Sequence, residues 1–127
     1  MEPVSAWTSN DLKTIGDAEE VRIAPLRPDG TLRKPVIVWI VRVGDNVYVR
    51  SVNGRNTAWF RGVQARHAGQ LSADGLNREV DLLEVSDKQD DIDAAYRSKY
   101  AKYPGIVPHI VTPETRATTL SLVPRPS

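Results

Sequence analysis

The sequence predicts one small, mostly β domain, residues 1–127, whose short antiparallel strands form a barrel or sandwich with a few short helices around it. Two observations carry this. "PVIVWIVRV" and "NVYVRSV" are β-branched runs on either side of a tight turn, and "GQLSADG" followed by "LNREVDLLEV" repeats the pattern around Asp74-Gly75. A third is order: strands follow one another as hairpins, which argues against a doubly wound sheet. At 127 residues the chain can bury one core without disulfide staples.

The elements follow in chain order. Thr8, Ser9 and Asn10 are capping residues for a helix through Leu12 and Ile15 that Gly16 stops, so residues 1–18 are an N-terminal helical segment. Trp7 is placed to staple it. Glu19 to Leu26 alternates Val21 and Ile23 with Arg22 and Ala24 and reads as a strand; Pro25 and Pro28 make it an edge or an early exit. "RPDGTLRK" is a turn. After the first hairpin, a helix is expected from about Asn56 to His67, with Asn56 as its cap. Ser86 to Gln89 has the form of a capping box and opens a helix through Tyr100. Ile92, Tyr96, Tyr100 and Tyr103 form one stripe on it. The tail predicts a short strand near Ile106–Val111, a turn, and a last strand at Thr118–Val123, with residues 122–127 fraying.

Composition narrows the function. Net charge is +1, which gives no global attraction to nucleic acid or to acidic membranes, so any basic site must be local. No cysteine is present, which removes disulfides, thiolate nucleophiles and cysteine metal sites. The longest apolar run, Val36 to Val41, is far short of the ~20 residues of a membrane span. These features, with an N-terminus unlike a signal peptide, predict a cytoplasmic protein.

The register of the first hairpin separates two faces. With Gly44-Asp45 as a two-residue loop, Val41 opposes Tyr48, Trp39 opposes Arg50 and Ile37 opposes Val52. The other face pairs Arg42 with Val47, Ile40 with Val49 and Val38 with Ser51. That second face is aliphatic and belongs to the interior. The face with Trp39, Tyr48 and Arg50 meets a helix of its own chain, a partner subunit or a planar ligand, and Trp39 and Arg50 are placed for a cation–π pair.

Asn53-Gly54-Arg55-Asn56 then turns the chain into a helix. Asn-Gly favours positive φ, and a capped helix start with Arg50 and Arg55 beside it is a candidate phosphate site. Trp59 and Phe60 behind it read as core. The competing reading is a corner whose arginines pair with nearby acids. Nothing else looks like a catalytic engine. His67 and His109 are too few for a metal centre, and "DKQDDID" lacks the glycine and terminal glutamate of a calcium loop. No nucleophile elbow or Walker loop occurs. An enzyme of this composition would borrow its chemistry from a cofactor.

"AWTSNDLKTIG", "VRIAPLRPDGTLRKPVIVWIVRVGDNVYVRSVNGRNTAWFRGVQA", "DDIDAAYRSKY" and "TPETRATTLSLVPR" together resemble a family of small, mainly actinobacterial proteins known only as a domain of unknown function. The block "RKPVIVWIVRVGDNVYVRSVNGRNTAWFRG" also resembles the split β-barrel flavin and deazaflavin oxidoreductases, the pyridoxamine-phosphate-oxidase-like group. That resemblance implies an antiparallel split barrel, a homodimer, and FMN or a deazaflavin at its interface; some members of the group have lost flavin or hold haem. By position it implies that Arg33, Lys34, Arg50, Ser51, Gly54, Arg55 and Asn56 hold the cofactor's anionic part. Trp39, Tyr48 and Trp59 would wall the ring or a small organic substrate. Two alternatives share the barrel: a non-redox small-molecule binding module, and a cofactor-free lyase or isomerase using His67 or His109.

Overall fold

The computed structural model describes residues 7–125. Six strands form a closed antiparallel barrel in the order β1-β2-β3-β6-β5-β4. They are β1 (Val21–Pro25), β2 (Val36–Val43), β3 (Asn46–Arg50), β4 (Ala68–Ala73), β5 (Leu76–Glu84) and β6 (Leu120–Pro124). Around them lie α1 (Ser9–Asp17), α2 (Ala58–Arg66), α3 (Gln89–Lys99) and the single turns α4 (Val107–Ile110) and α5 (Pro113–Arg116). The split-barrel fold expected from the sequence is the one observed.

Alternation decides what the barrel encloses. Val38, Ile40, Val47 and Val49 point inward and join Val21, Ile23, Leu71, Val80, Leu82, Leu120 and Leu122 in one buried cluster. The β2–β3 register is the one the two-residue loop dictates: Trp39 faces Arg50, Ile40 faces Val49 and Val41 faces Tyr48. β3 stops at Arg50, so the outer pairs drawn to Val52 and Ser51 do not form; on the other edge of β2, Val38 pairs with Val21 of β1. The two-residue Asp74-Gly75 turn joins β4 to β5.

Two helices plug the barrel. Leu12 and Ile15 of α1 enter the core at the end where Val21, Ala73 and Leu76 meet, and Asp11 bonds to Arg78 there. Phe60 and Val63 of α2 enter from the end where Pro25 pairs with Gly69. Thr57, not Asn56, caps α2: its Oγ1 accepts the Phe60 N–H at 3.4 Å. The chain turns at Gly54, whose φ of 87° suits glycine, and this sets the helix start one residue later than the Asn56 reading.

The tail departs most from expectation. Residues 107–116 are the two helical turns α4 and α5, not a strand; Thr112 caps α5 through Thr115 N–H, with Pro113 at its first position. Nor does the chain fray from residue 122. β6 is the stave that closes the barrel, with Leu122 paired to both Val47 and Leu82 and Arg125 N–H donating to Glu79 O. Leu120 and Leu122 are fully buried, and that burial outweighs the prolines behind them. Residues 126 and 127 lie outside the described residues, as do the first six of the N-terminal segment.

Candidate functional site

The outward face of β2 and β3 is covered by the protein's own helix. Ile92, Tyr96 and Tyr100 of the predicted stripe pack with Val41, Tyr48 and Ile110 into a second buried cluster. Lys88 starts α3 with a left-handed φ of 59° and no side-chain cap, so Ser86 does not form the expected capping box. The tyrosine hydroxyls repair the sheet where its strands part. Tyr96 accepts Arg50 N–H at 3.0 Å and donates to Trp39 O at 2.7 Å; Tyr100 accepts Ile40 N–H and donates to Ile40 O. Burial pushes both phenols well above the ordinary tyrosine range, so they stay protonated donors.

Arg50 therefore lies inside the protein, 1% exposed. Its Nε donates to Thr119 Oγ1, its Nη1 to Asp93 Oδ1 and Ile110 O, and its Nη2 to both Gln89 oxygens. A guanidinium has five N–H donors, and all are spent. Its ring partner is Tyr96 at 5.5 Å, not Trp39, which stands edge-on to Tyr100 at 5.1 Å. Asp93 is shared with Arg116. Burial pushes the Asp93 carboxyl up, and hydrogen bonds from Arg116 and Arg50 more than reverse this, holding it below the usual range. Ser51 is also internal: its Oγ donates to Gly54 O at 2.6 Å and its N–H to Thr118 Oγ1 at 2.9 Å. Tyr48 is buried against the second cluster. Arg50 and Ser51 as cofactor ligands, and Trp39 and Tyr48 as pocket walls, are thus corrected: α3 takes the surface that Arg50, Trp39 and Tyr48 would have offered, and Ser51 is held by Gly54 and Thr118.

The rest of the turn stays open. Gly54, Arg55 and Asn56 line a groove of about 1010 Å³ with Arg61 and Gln64 of α2, His109 of α4, and Thr112 and Glu114 at the start of α5. Arg55 is half-exposed and oriented: Nη1 donates to Ala117 O at 2.9 Å, and the guanidinium lies 5.5 Å from the Phe60 ring centre. Glu84 approaches it at 3.5 Å. Two guanidinium groups, Arg55 and Arg61, stand at the groove, with Glu114 in its lining and Glu84 beside Arg55. Arg61, which the sequence left without a role, completes it. The Thr112-Pro113-Glu114 helix start was a missed signal for the groove's far wall.

Arg33, Lys34 and Trp59 lie elsewhere. They line a second groove, of about 250 Å³, with Pro25, Arg27, Val36 and Ala58. On α2, Ala58 and Trp59 face this groove while Arg61 and Gln64 face the larger one, so the helix stands between them. His67 is in neither. It ends α2 with a left-handed φ of 57°, and its Nδ1 sits 3.2 Å from Leu82 O. Among the described residues, no helix is long and apolar enough to cross a membrane.

A family model described as "Uncharacterized protein conserved in bacteria (DUF2255)" matches residues 11–122.

The chain belongs to that family.

No curated protein matches it. Among solved structures it is similar in shape to a conserved hypothetical protein from Mycobacterium tuberculosis, at 7% identity and a TM-score of 0.62 over 99% of this chain and 84% of that one. A FAD and haem binding protein from Mycobacterium smegmatis aligns at 16% identity and a TM-score of 0.54, over 97% and 68% of the two chains. An F420 reductase aligns over 91% of each chain at 20% identity and a TM-score of 0.49. These likenesses show a shared split-barrel fold.

Proposed function

We propose that this DUF2255 protein is a flavin- or deazaflavin-dependent oxidoreductase acting on a small organic molecule, with the groove at the β3–α2 corner taking the cofactor's anionic part. One observation carries the reading: the turn after β3 holds Arg55 in place, by the Ala117 carbonyl, at the edge of an open groove that also receives Arg61. A phosphate or acidic tail placed there meets two guanidinium groups. The volume is at the upper end of ordinary ligand sites. The residues fit the anionic part of such a cofactor. When bound, FMN or a deazaflavin would supply hydride transfer; the chain's own task is to bind, orient and exclude water. The likeness in shape to a FAD and haem binding protein supports the class.

The ring is the weaker half of the fit. Trp39 and Tyr48 lie under α3, and Trp59 faces the other flank of α2. No tryptophan, tyrosine or phenylalanine of the described residues lines the groove. In this reading a second copy of the chain covers the ring, as a homodimer. The same observation favours the second reading, a non-redox module that holds a small anion without stacking a ring on it. For a cofactor-free lyase or isomerase, His109 is the histidine that lines this groove, and His67 lines neither groove.

Titration of the protein with FMN and with a deazaflavin cofactor, followed by visible absorbance and fluorescence, separates these readings. The expected result is a saturable spectral change that weakens in Arg55→Ala and in Arg61→Ala. No change with either compound at high micromolar concentration overturns the redox reading. Unchanged affinity in both variants removes the groove from it.

A further inference from the structure

The smaller groove carries an inference of its own, independent of any flavin. Arg33 reaches it across α2, and its path depends on a glycine. A Cβ on Gly62 would come within 2.8 Å of Arg33 Nε and 3.0 Å of its Cδ, so the absent side chain is the space the arginine occupies. The buried Nε–H of Arg33 meets no acceptor among the described residues. Nor is Arg33 or Lys34 in any of the ion pairs those residues make. A buried N–H without an acceptor is costly, because that donor has left water and gained nothing.

The groove is preformed. Arg66 Nη1 donates to Arg27 O and Pro28 O, pinning the 27–34 loop to α2, and Arg27 Nη1 donates back to Leu32 O. Beside Arg27, Arg33 and Lys34 its lining is apolar: Pro25, Val36, Ala58 and the half-buried Trp59. No acid lines it. At about 250 Å³ it lies below the usual range for cofactor sites and suits one ring.

We propose that this groove is a binding site for a small aromatic carboxylate, with the ring against Trp59 and the carboxylate on Arg33 and Lys34. An apolar slot selects a flat ring, and Arg33 and Lys34, with Arg27 beside them, select an acidic group at its rim. A flavin carrying its phosphate is too large for it, which sets this site apart from the Arg55 groove on the far flank of α2.

Benzoate is the probe, with benzyl alcohol as the uncharged control. The readout is the indole N–H resonance of Trp59 in ¹⁵N-labelled protein, identified by its loss in Trp59→Phe. Benzoate should shift it saturably and benzyl alcohol should not. Arg33→Gln should weaken binding by roughly tenfold or more, as for a lost charge-assisted pair. Gly62→Ala should also weaken it, because it displaces the guanidinium while keeping every charge. The thermal midpoint of Gly62→Ala checks that the fold is intact. Arg55→Ala should bind benzoate as the wild type does. The proposal is overturned by an unsaturable or absent shift, by an equal response to benzyl alcohol, by wild-type affinity in Arg33→Gln and Gly62→Ala, or by loss of binding in Arg55→Ala. Flavin titrations of the same samples report on the other groove alone, so the two readings can fail separately.

Discussion

Arg50 and Arg55 are neighbours in sequence with opposite fates. Arg50 is sealed beneath α3 with every donor used, on Asp93, Gln89, Thr119 and Ile110. Arg55 is half-exposed, held by one carbonyl, and faces an open groove. The same side chain serves as a structural clamp on one side of a turn and as a candidate ligand contact on the other. Residue type and proximity to a helix start do not separate the two roles. What separates them is whether another element of the chain supplies enough acceptors to consume the guanidinium.

The sharpest way to break this comparison is Asp93→Ala. It leaves Arg50 buried without its counter-charge and should cost about 3–5 kcal/mol in urea unfolding, the penalty of an orphaned buried ion. A loss under about 1 kcal/mol would mean that the clamp is no tighter than a surface pair. Tyr96→Phe comes next. Removing the hydroxyl that joins Arg50 N–H to Trp39 O should cost about 1–3 kcal/mol, with an altered near-ultraviolet dichroism as the local signature.

Acid sharpens the same contrast. The Asp93 carboxyl titrates below its unfolded value, so its contribution is complete above the usual carboxylate pKa of about 3.9 and is lost as pH falls through the lower folded value. Unfolding midpoints measured across that window should fall for the wild type, with a shallower fall in Asp93→Asn. Arg55→Ala should move stability by no more than about 1 kcal/mol while weakening anion binding, since its partners are a carbonyl and an exposed glutamate. A large loss of stability there would place Arg55 with Arg50.

The smallest effect concerns Lys99. Burial lowers its amine to about 8 while its Nζ donates to Ile40 O and Ile15 O. The charged form is thus disfavoured by folding, and the Lys99 contribution to stability should rise with pH between about 8 and the unfolded value near 10.4. Carbon-13 NMR of reductively methylated protein should show a lysine amine titrating near 8 whose signal is lost in Lys99→Arg; a Lys99 signal titrating near 10 with the other lysines would contradict it.

Much of the barrel was legible in the chain. A two-residue loop leaves one register open to Trp39–Arg50 and Ile40–Val49, and period-two alternation then assigns the inner face. The Ile92, Tyr96, Tyr100 stripe was equally plain, because helical spacing is local. The capping residue of α2 was misplaced by one position, since Asn56 and Thr57 are both competent and only the path out of Gly54 chooses between them. The tail was misread because its prolines favour fraying locally. Burial of Leu120 and Leu122 by β3 and β5 overrides them.

The candidate site divided along the same line. The sequence by itself determined that Arg33, Lys34, Arg50 and Arg55 flank a strand–turn–helix corner, because those positions follow from local spacing. Only the tertiary structure decided that Arg50 faces Asp93, that Arg55 and Arg61 share a groove, and that Arg33 crosses Gly62 to a different one. The reason is range. Register and helical faces depend on a few consecutive residues, whereas the partner of a guanidinium is set by segments 43 or 62 residues away, such as Asp93 and Ala117, whose arrival depends on how the whole barrel closes.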